Sequence, residues 1–160
     1  MGVPLLIHQP SYSIFNRWIE DGLLDALGEL GVGCIAFSPL AQGLLSSKYL
    51  KGIPAESRAG HANSSLYKEF ISENNVKAVQ ALNEIALSRG QSLAQMAIAW
   101  VLRDSRVTSA LIGARNVEQI DDCIDALKNL KFTTAELEQI AGYERKADTH
   151  LWKQFRVGLE

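Results

Sequence analysis

Two hydrophobic periods alternate along the chain. Residues 3–7, VPLLI, are continuously apolar and stop at His8-Gln9-Pro10, the pattern of a short strand buried on both faces. Leu23, Leu24, Leu27 and Leu30 then recur at helical spacing, and Gly31 is a natural stop for that helix. A second continuous run, GCIAF at 33–37, predicts another buried strand and ends abruptly at Ser38-Pro39. From about Ala41 to Ser65 the periodicity is lost, and Gly43, Gly52, Pro54 and Gly60 predict a long loop. Loops of that length are uncommon unless they are functional.

Helices dominate the remainder. Val76, Val79, Leu82, Ile85 and Ala86 form one stripe, closed by Gly90. Ser92 and Gln95 form a capping box, each able to satisfy an orphan N–H at the start of a helix. That helix carries Leu93, Met96, Ala97, Trp100 and Val101 on its apolar face. TSALI at 108–112 predicts a third buried strand. Gly113-Ala114-Arg115 turns the chain, and Asn116 caps a helix carrying Val117, Ile120, Ile124 and Leu127. Thr133 and Glu136 form a second capping box, opening a last helix with Leu137, Ile140 and Ala141. The tail from Thr149 keeps Leu151, Trp152 and Phe155 and is expected to pack against the rest.

This order of strands and helices implies an α/β fold with parallel strands and right-handed crossovers. In such folds the chemistry gathers at the C-terminal ends of the strands. Those ends read His8-Gln9-Pro10-Ser11-Tyr12, Ser38-Pro39-Leu40-Ala41-Gln42 and Gly113-Ala114-Arg115-Asn116, all polar and irregular. The last precedes a helix N-terminus, whose free N–H groups and partial positive charge suit an anion, and Arg115 offers a bidentate fork beside it. Lys48 and Arg58, from the long loop, are placed to add charge. Two readings stand on these residues alone: a phosphate-bearing ligand, or a plainly capped helix.

Composition narrows the partners. At 160 residues the chain is long enough for one domain, 1–160, with a sizeable core. A net charge of −2 argues against nucleic acid as a partner. Cys34 and Cys123 lie in no metal-ligand spacing, so two reduced thiols in a cytoplasmic protein, and no metal, are expected. No apolar run approaches the ~20 residues of a membrane span, so no membrane partner is expected. The start, MGVPLLIHQP, lacks the basic flank and long apolar stretch of a signal peptide.

The stretches QPSYSIFNR, GVGCIAFSPLAQGLLSSKYLKGIPAESR, SLAQMAIAWVLRD and VTSALIGARNVEQIDD together resemble the aldo-keto reductases. Within that family they are most similar to the branch of bacterial glyceraldehyde-3-phosphate-type reductases and potassium-channel β subunits. The resemblance runs from about Val3 to Leu127 and more loosely to the end. It implies a (β/α)₈ barrel that binds NADP(H) across its C-terminal face and transfers hydride to a carbonyl. By motif match, Gln9 would contact the carboxamide end and Phe37 would stand against the nicotinamide. Ser38, Pro39, Leu40 and Ala41 would line the pyrophosphate path, with Lys48 and Arg58 reaching over it. Gly113, Arg115 and Gln119 would hold the adenosine 2′-phosphate, and Asp122 would approach the adenine. Where the family usually has Asn next, this chain has Cys123.

A barrel of this type needs eight strands and typically ~250 residues. The three strands found here match the family's sixth, seventh and eighth, so the chain is expected to be the C-terminal, cofactor-binding part of a TIM barrel. The family's catalytic Asp, Tyr, Lys and His belong to earlier strands, and none of their motifs is present. No catalytic residue is therefore assigned. Tyr12 and Tyr49 read as packing or cofactor-lining residues, His8 as a strand-end structural residue, and His61 and His150 as solvated. Asp21, Asp25, Glu29, Asp121 and Asp122 read by themselves as solvated helix faces or dipole partners. The expected whole is a cytoplasmic oxidoreductase acting on a small carbonyl substrate. The chain alone is expected to be inactive, and to self-associate through open sheet edges. The alternative is a non-catalytic nucleotide-binding or structural role.

Overall fold

The computed structural model describes residues 4–50 and 72–144. Arg58, His61, His150, the second part of the long loop and the tail with Trp152 and Phe155 lie outside the described residues, as does the side chain of Tyr49. The elements follow in the order β1 (Ile7–His8), α1 (Leu23–Glu29), β2 (Gly33–Phe37), α2 (Glu73–Ser88), α3 (Leu93–Leu102), β3 (Ser109–Leu111), α4 (Val117–Asp125) and α5 (Thr134–Glu144). Short 3₁₀ turns punctuate the connections.

The strands form one parallel sheet in the order β1-β2-β3. Ile7 stands opposite Gly33 and His8 opposite Cys34, and Phe37 stands opposite Leu111. The central strand alternates: Cys34 and Ala36 are buried, Gly33, Ile35 and Phe37 half-buried. The outer strands depart from the expected double burial. Leu5, Leu6 and Ile7 are 64%, 72% and 54% exposed, and Leu111 is also exposed. Each outer strand has a neighbour on one side only, and nothing among the described residues covers its outward side chains. β1 is also shorter than the apolar run that announced it.

The core lies between the helices, the buried side chains Cys34 and Ala36 of β2, and the loop residues Tyr12, Ile14, Phe15, Leu44 and Leu45. α3 buries seven of its ten residues, Leu93, Met96 to Val101, and so is apolar nearly all round. Ser92 and Gln95 make the reciprocal capping box that starts it. α2 starts at Ser72, whose Oγ accepts from the Asn75 N–H (3.1 Å), and packs Val79, Leu82, Ile85 and Ala86 inward. Burying Val79, Leu82 and Ile85 is worth about 1.5–3 kcal/mol each. Gly90 ends α2 in the left-handed region (φ 68°), where a Cβ would be strained.

α4 differs from its neighbours. Asn116 caps it as expected, yet none of its residues is buried. Its stripe of Val117, Ile120 and Ile124, continued by Leu127, is 43–66% exposed. The amphipathic pattern is real, but the described residues leave this stripe largely uncovered.

Candidate functional site

Three strand tips share the C-terminal end of the sheet, and Phe37 joins them. It pairs with Leu111 on β3, and on the other side bridges to Ser11, just beyond β1. The Phe37 N–H donates to the Pro10 carbonyl (2.9 Å), and the Tyr12 N–H donates to the Phe37 carbonyl (3.1 Å). Pairing thus continues past β1 and holds the Gln9–Pro10 stretch beside the β2 tip. Ser11 is locked in turn: Asn16 Nδ2 donates to its Oγ (3.0 Å) and Trp18 Nε1 to its carbonyl (3.0 Å).

Below this tip lies a charged, partly buried cluster. Glu20 accepts from the Tyr12 hydroxyl (2.5 Å), from Arg17 Nη2 (2.6 Å) and from Arg103 Nη2 (2.9 Å). The Arg103 guanidinium stacks 3.6 Å from the Trp100 ring. Burial pushes the Tyr12 phenol well above its ordinary value, and the bond to Glu20 adds to the push. Tyr12 is fully buried and stays protonated, in keeping with a packing role.

The β2 tip is strained. Ser38, Ala41 and Gln42 have φ of 59°, 47° and 58°, left-handed values that cost L-residues about 1–3 kcal/mol each. The bend is held by its own hydrogen bonds: Ala41 N–H to the Ser38 carbonyl and Gly43 N–H to the Leu40 carbonyl, both 2.9 Å. Buried Pro39, Ala41, Leu44 and Leu45 anchor it to the core. Lys48 follows, exposed, in the turn Ser47–Tyr49.

At the β3 tip, Gly113 is exposed, and no described residue stands within 4 Å of where a Cβ would lie. Asn116 Oδ1 accepts from the Gln119 N–H (3.0 Å), and Gln119 Oε1 accepts from the Arg115 N–H (2.9 Å). This closed turn fixes the start of α4. The Arg115 side chain is exposed, and its guanidinium pairs with no carboxylate among the described residues. Asp122, three residues beyond Gln119, faces α3 instead: Gln95 Nε2 donates to its Oδ1 (2.7 Å). Beside it, burial pushes the Cys123 thiol up, and the Asp122 carboxylate adds to the shift.

The structure therefore brings Gln9, Phe37, Ser38, Pro39, Leu40, Ala41, Gly113 and Arg115 to one end of the sheet, on consecutive strand tips, with Gln119 of α4 bonded to the Arg115 turn. Asp122 stands apart, tied to α3. Sequence reasoning missed that link, the Glu20 cluster and the left-handed bend. Only the bend left a signal, the Ser38-Pro39 break after an apolar run.

Residues 1–145 match the sequence model described as the Aldo/keto reductase family. The chain is 52% identical, over 155 residues, to the L-glyceraldehyde 3-phosphate reductase of Escherichia coli K12, covering 94% of this chain and 45% of that protein. It is 36% identical over 135 residues to a probable voltage-gated potassium channel subunit beta of Oryza sativa subsp. japonica, covering 82% of this chain and 41% of that one. The chain thus spans about half the length of these curated relatives or slightly less. Among solved structures, a glycerol dehydrogenase from Gluconobacter oxydans superposes with a TM-score of 0.74 at 24% identity, over 92% of this chain and 44% of its own. An aldo-keto reductase from Bacillus halodurans gives 0.68 at 19% identity, over 97% and 47%. These likenesses bear on the fold: the described strands and helices are part of a (β/α)₈ barrel.

Proposed function

This chain belongs to the aldo/keto reductase family, and we propose that it is the C-terminal, NADP(H)-binding portion of a reductase that converts aldehydes or ketones to alcohols. The observation that carries the reading is the row of tips sharing Phe37: Gln9 to one side, the strained 38–42 bend beyond it, and the Arg115 turn on β3. The residues present fit the dinucleotide. Among the described residues Arg115 offers an exposed guanidinium free of carboxylate partners, beside a helix N-terminus and a Gly113 with no neighbour where a Cβ would stand. The Lys48 ammonium adds positive charge from the loop after β2.

When bound, NADPH supplies hydride. The chain's own residues bind and orient. Gln9 takes the carboxamide end, and Phe37 stands against the nicotinamide. Ser38, Pro39, Leu40 and Ala41 would line the pyrophosphate, with Lys48 over it; Arg58, outside the described residues, is proposed for the same role. Gly113, Arg115 and Gln119 hold the 2′-phosphate, and Asp122 meets the adenine. The proton for the product alkoxide comes from strands outside this chain, as does much of the pocket for the carbonyl substrate. In isolation the exposed faces of β1, β3 and α4 drive self-association. The whole protein acts in the cytoplasm.

Nuclear magnetic resonance mapping tests this reading. On titration with NADPH, amide shifts are expected to concentrate at residues 9–12, 37–48 and 113–122. Shifts confined to other parts of the chain, or none at all, overturn it.

A further inference from the structure

Gln95 links two features that the sequence keeps apart. Its Oε1 accepts the Ser92 N–H (2.9 Å) in the capping box of α3, and its Nε2 donates to Asp122 Oδ1 on α4 (2.7 Å). The two ends of the amide are not interchangeable. The cap needs an acceptor at Ser92 and the carboxylate needs a donor, so both contacts set one orientation. Ser92 Oγ, which already accepts the Gln95 N–H (3.1 Å), lies 3.4 and 3.5 Å from the two Asp122 oxygens. Asp122 Oδ1 is therefore firmly engaged, while among the described residues Oδ2 meets only a hydroxyl at the limit of hydrogen-bonding distance. The support is rigid, because Leu93 and the residues from Met96 onward are buried in the core.

We propose that Gln95 is a positioning residue for base recognition. By holding Oδ1 it turns the Asp122 carboxylate so that Oδ2 accepts from the exocyclic amino group of the adenine. The inference rests on the reading that the dinucleotide lies across this face with its base at Asp122. A purely structural tie between α3 and α4 would affect stability but would not affect the choice of base.

The full chain is titrated with NADPH and with its hypoxanthine analogue, in which an oxo group replaces the amino group. Wild type is expected to bind NADPH about tenfold more tightly, the value of one hydrogen bond to a charged group. Gln95→Glu keeps an acceptor for the Ser92 N–H, since Glu is a usual third residue of the box, but sets a carboxylate against Asp122. Gln95→Leu removes the donor without adding charge. In either variant, folded by circular dichroism, the preference for the amino base is expected to disappear while Arg115-dependent binding of the 2′-phosphate persists. A folded variant that retains the preference overturns the inference. Equal binding of both dinucleotides by wild type overturns it too and leaves the cofactor reading standing. Binding of neither overturns both.

Discussion

Glu20→Gln probes the cluster that anchors the segment after β1. The carboxylate accepts from the Tyr12 hydroxyl, from Arg17 Nε (3.0 Å) and Nη2 (2.6 Å), and from Arg103 Nη2 (2.9 Å). The amide keeps the shape, loses the charge, and turns an N–H₂ toward at least one donor. Hydrogen bonds to charged groups are worth about 1.5–3 kcal/mol each. Removing one partner of a fully buried pair costs about 3–5 kcal/mol. Glu20 is 25% exposed, so water compensates part of the loss; a destabilisation of about 2 kcal/mol is expected. The assay is urea unfolding followed by tryptophan fluorescence, at neutral pH and again under acid. Burial pulls the Glu20 carboxyl up, but hydrogen bonds from Arg17, Tyr12 and Arg103 outweigh it and hold it below its ordinary value. Its stabilisation is therefore complete above the unfolded value of about 4.3 and is lost as pH falls through the lower folded one. The gap between wild type and variant should close on acidification. A gap under about 0.5 kcal/mol at neutral pH, the range of an unremarkable surface change, or one independent of pH, refutes the reasoning.

Three further outcomes follow from the same structure. Arg89, only 3% exposed, donates to Glu136, Gln91 and the carbonyls of Asn129 and Lys131, and stacks on Phe132; Arg89→Ala is expected to cost about 3–5 kcal/mol, and an unchanged thermal melt contradicts this. Purified chain is expected to show no significant NADPH oxidation with aldehydes, because a positioned general acid typically contributes ~10²–10⁴-fold; turnover at the level of a full-length relative, free of host reductases, refutes it. Light scattering at micromolar concentration should show a dimer or larger assembly, reduced by Ile120→Glu or Ile124→Glu on the exposed stripe of α4; a cooperatively unfolding monomer contradicts the role given to the open edges.

Features with local causes were legible in the sequence. The caps at Ser92, Asn116 and Thr133 need only a residue and its third neighbour, and all three form. Gly31 and Gly90 stop their helices in the left-handed region for the same local reason. Burial was less legible. A continuous apolar run states what a strand could bury, whereas actual burial depends on neighbours, and among the described residues Leu5, Leu6, Ile7 and Leu111 are left exposed. The tips that form the candidate site were readable as places where apolar runs stop. The positive φ at Ser38, Ala41 and Gln42 was not, since those residue types do not announce it. Bonds such as Gln95 to Asp122, 27 positions apart, and Arg103 to Tyr12, 91 apart, have no period to reveal them.

The most direct test of the cofactor reading compares NADPH with NADH on wild type and Arg115→Ala, by fluorescence quenching of the tryptophans. A guanidinium reading the 2′-phosphate contributes a charge-assisted bond, so the substitution should weaken NADPH by about 10- to 150-fold while NADH changes little. Equal losses for the two dinucleotides, or wild-type binding that does not favour NADPH, would contradict the placement of the 2′-phosphate at the β3 tip.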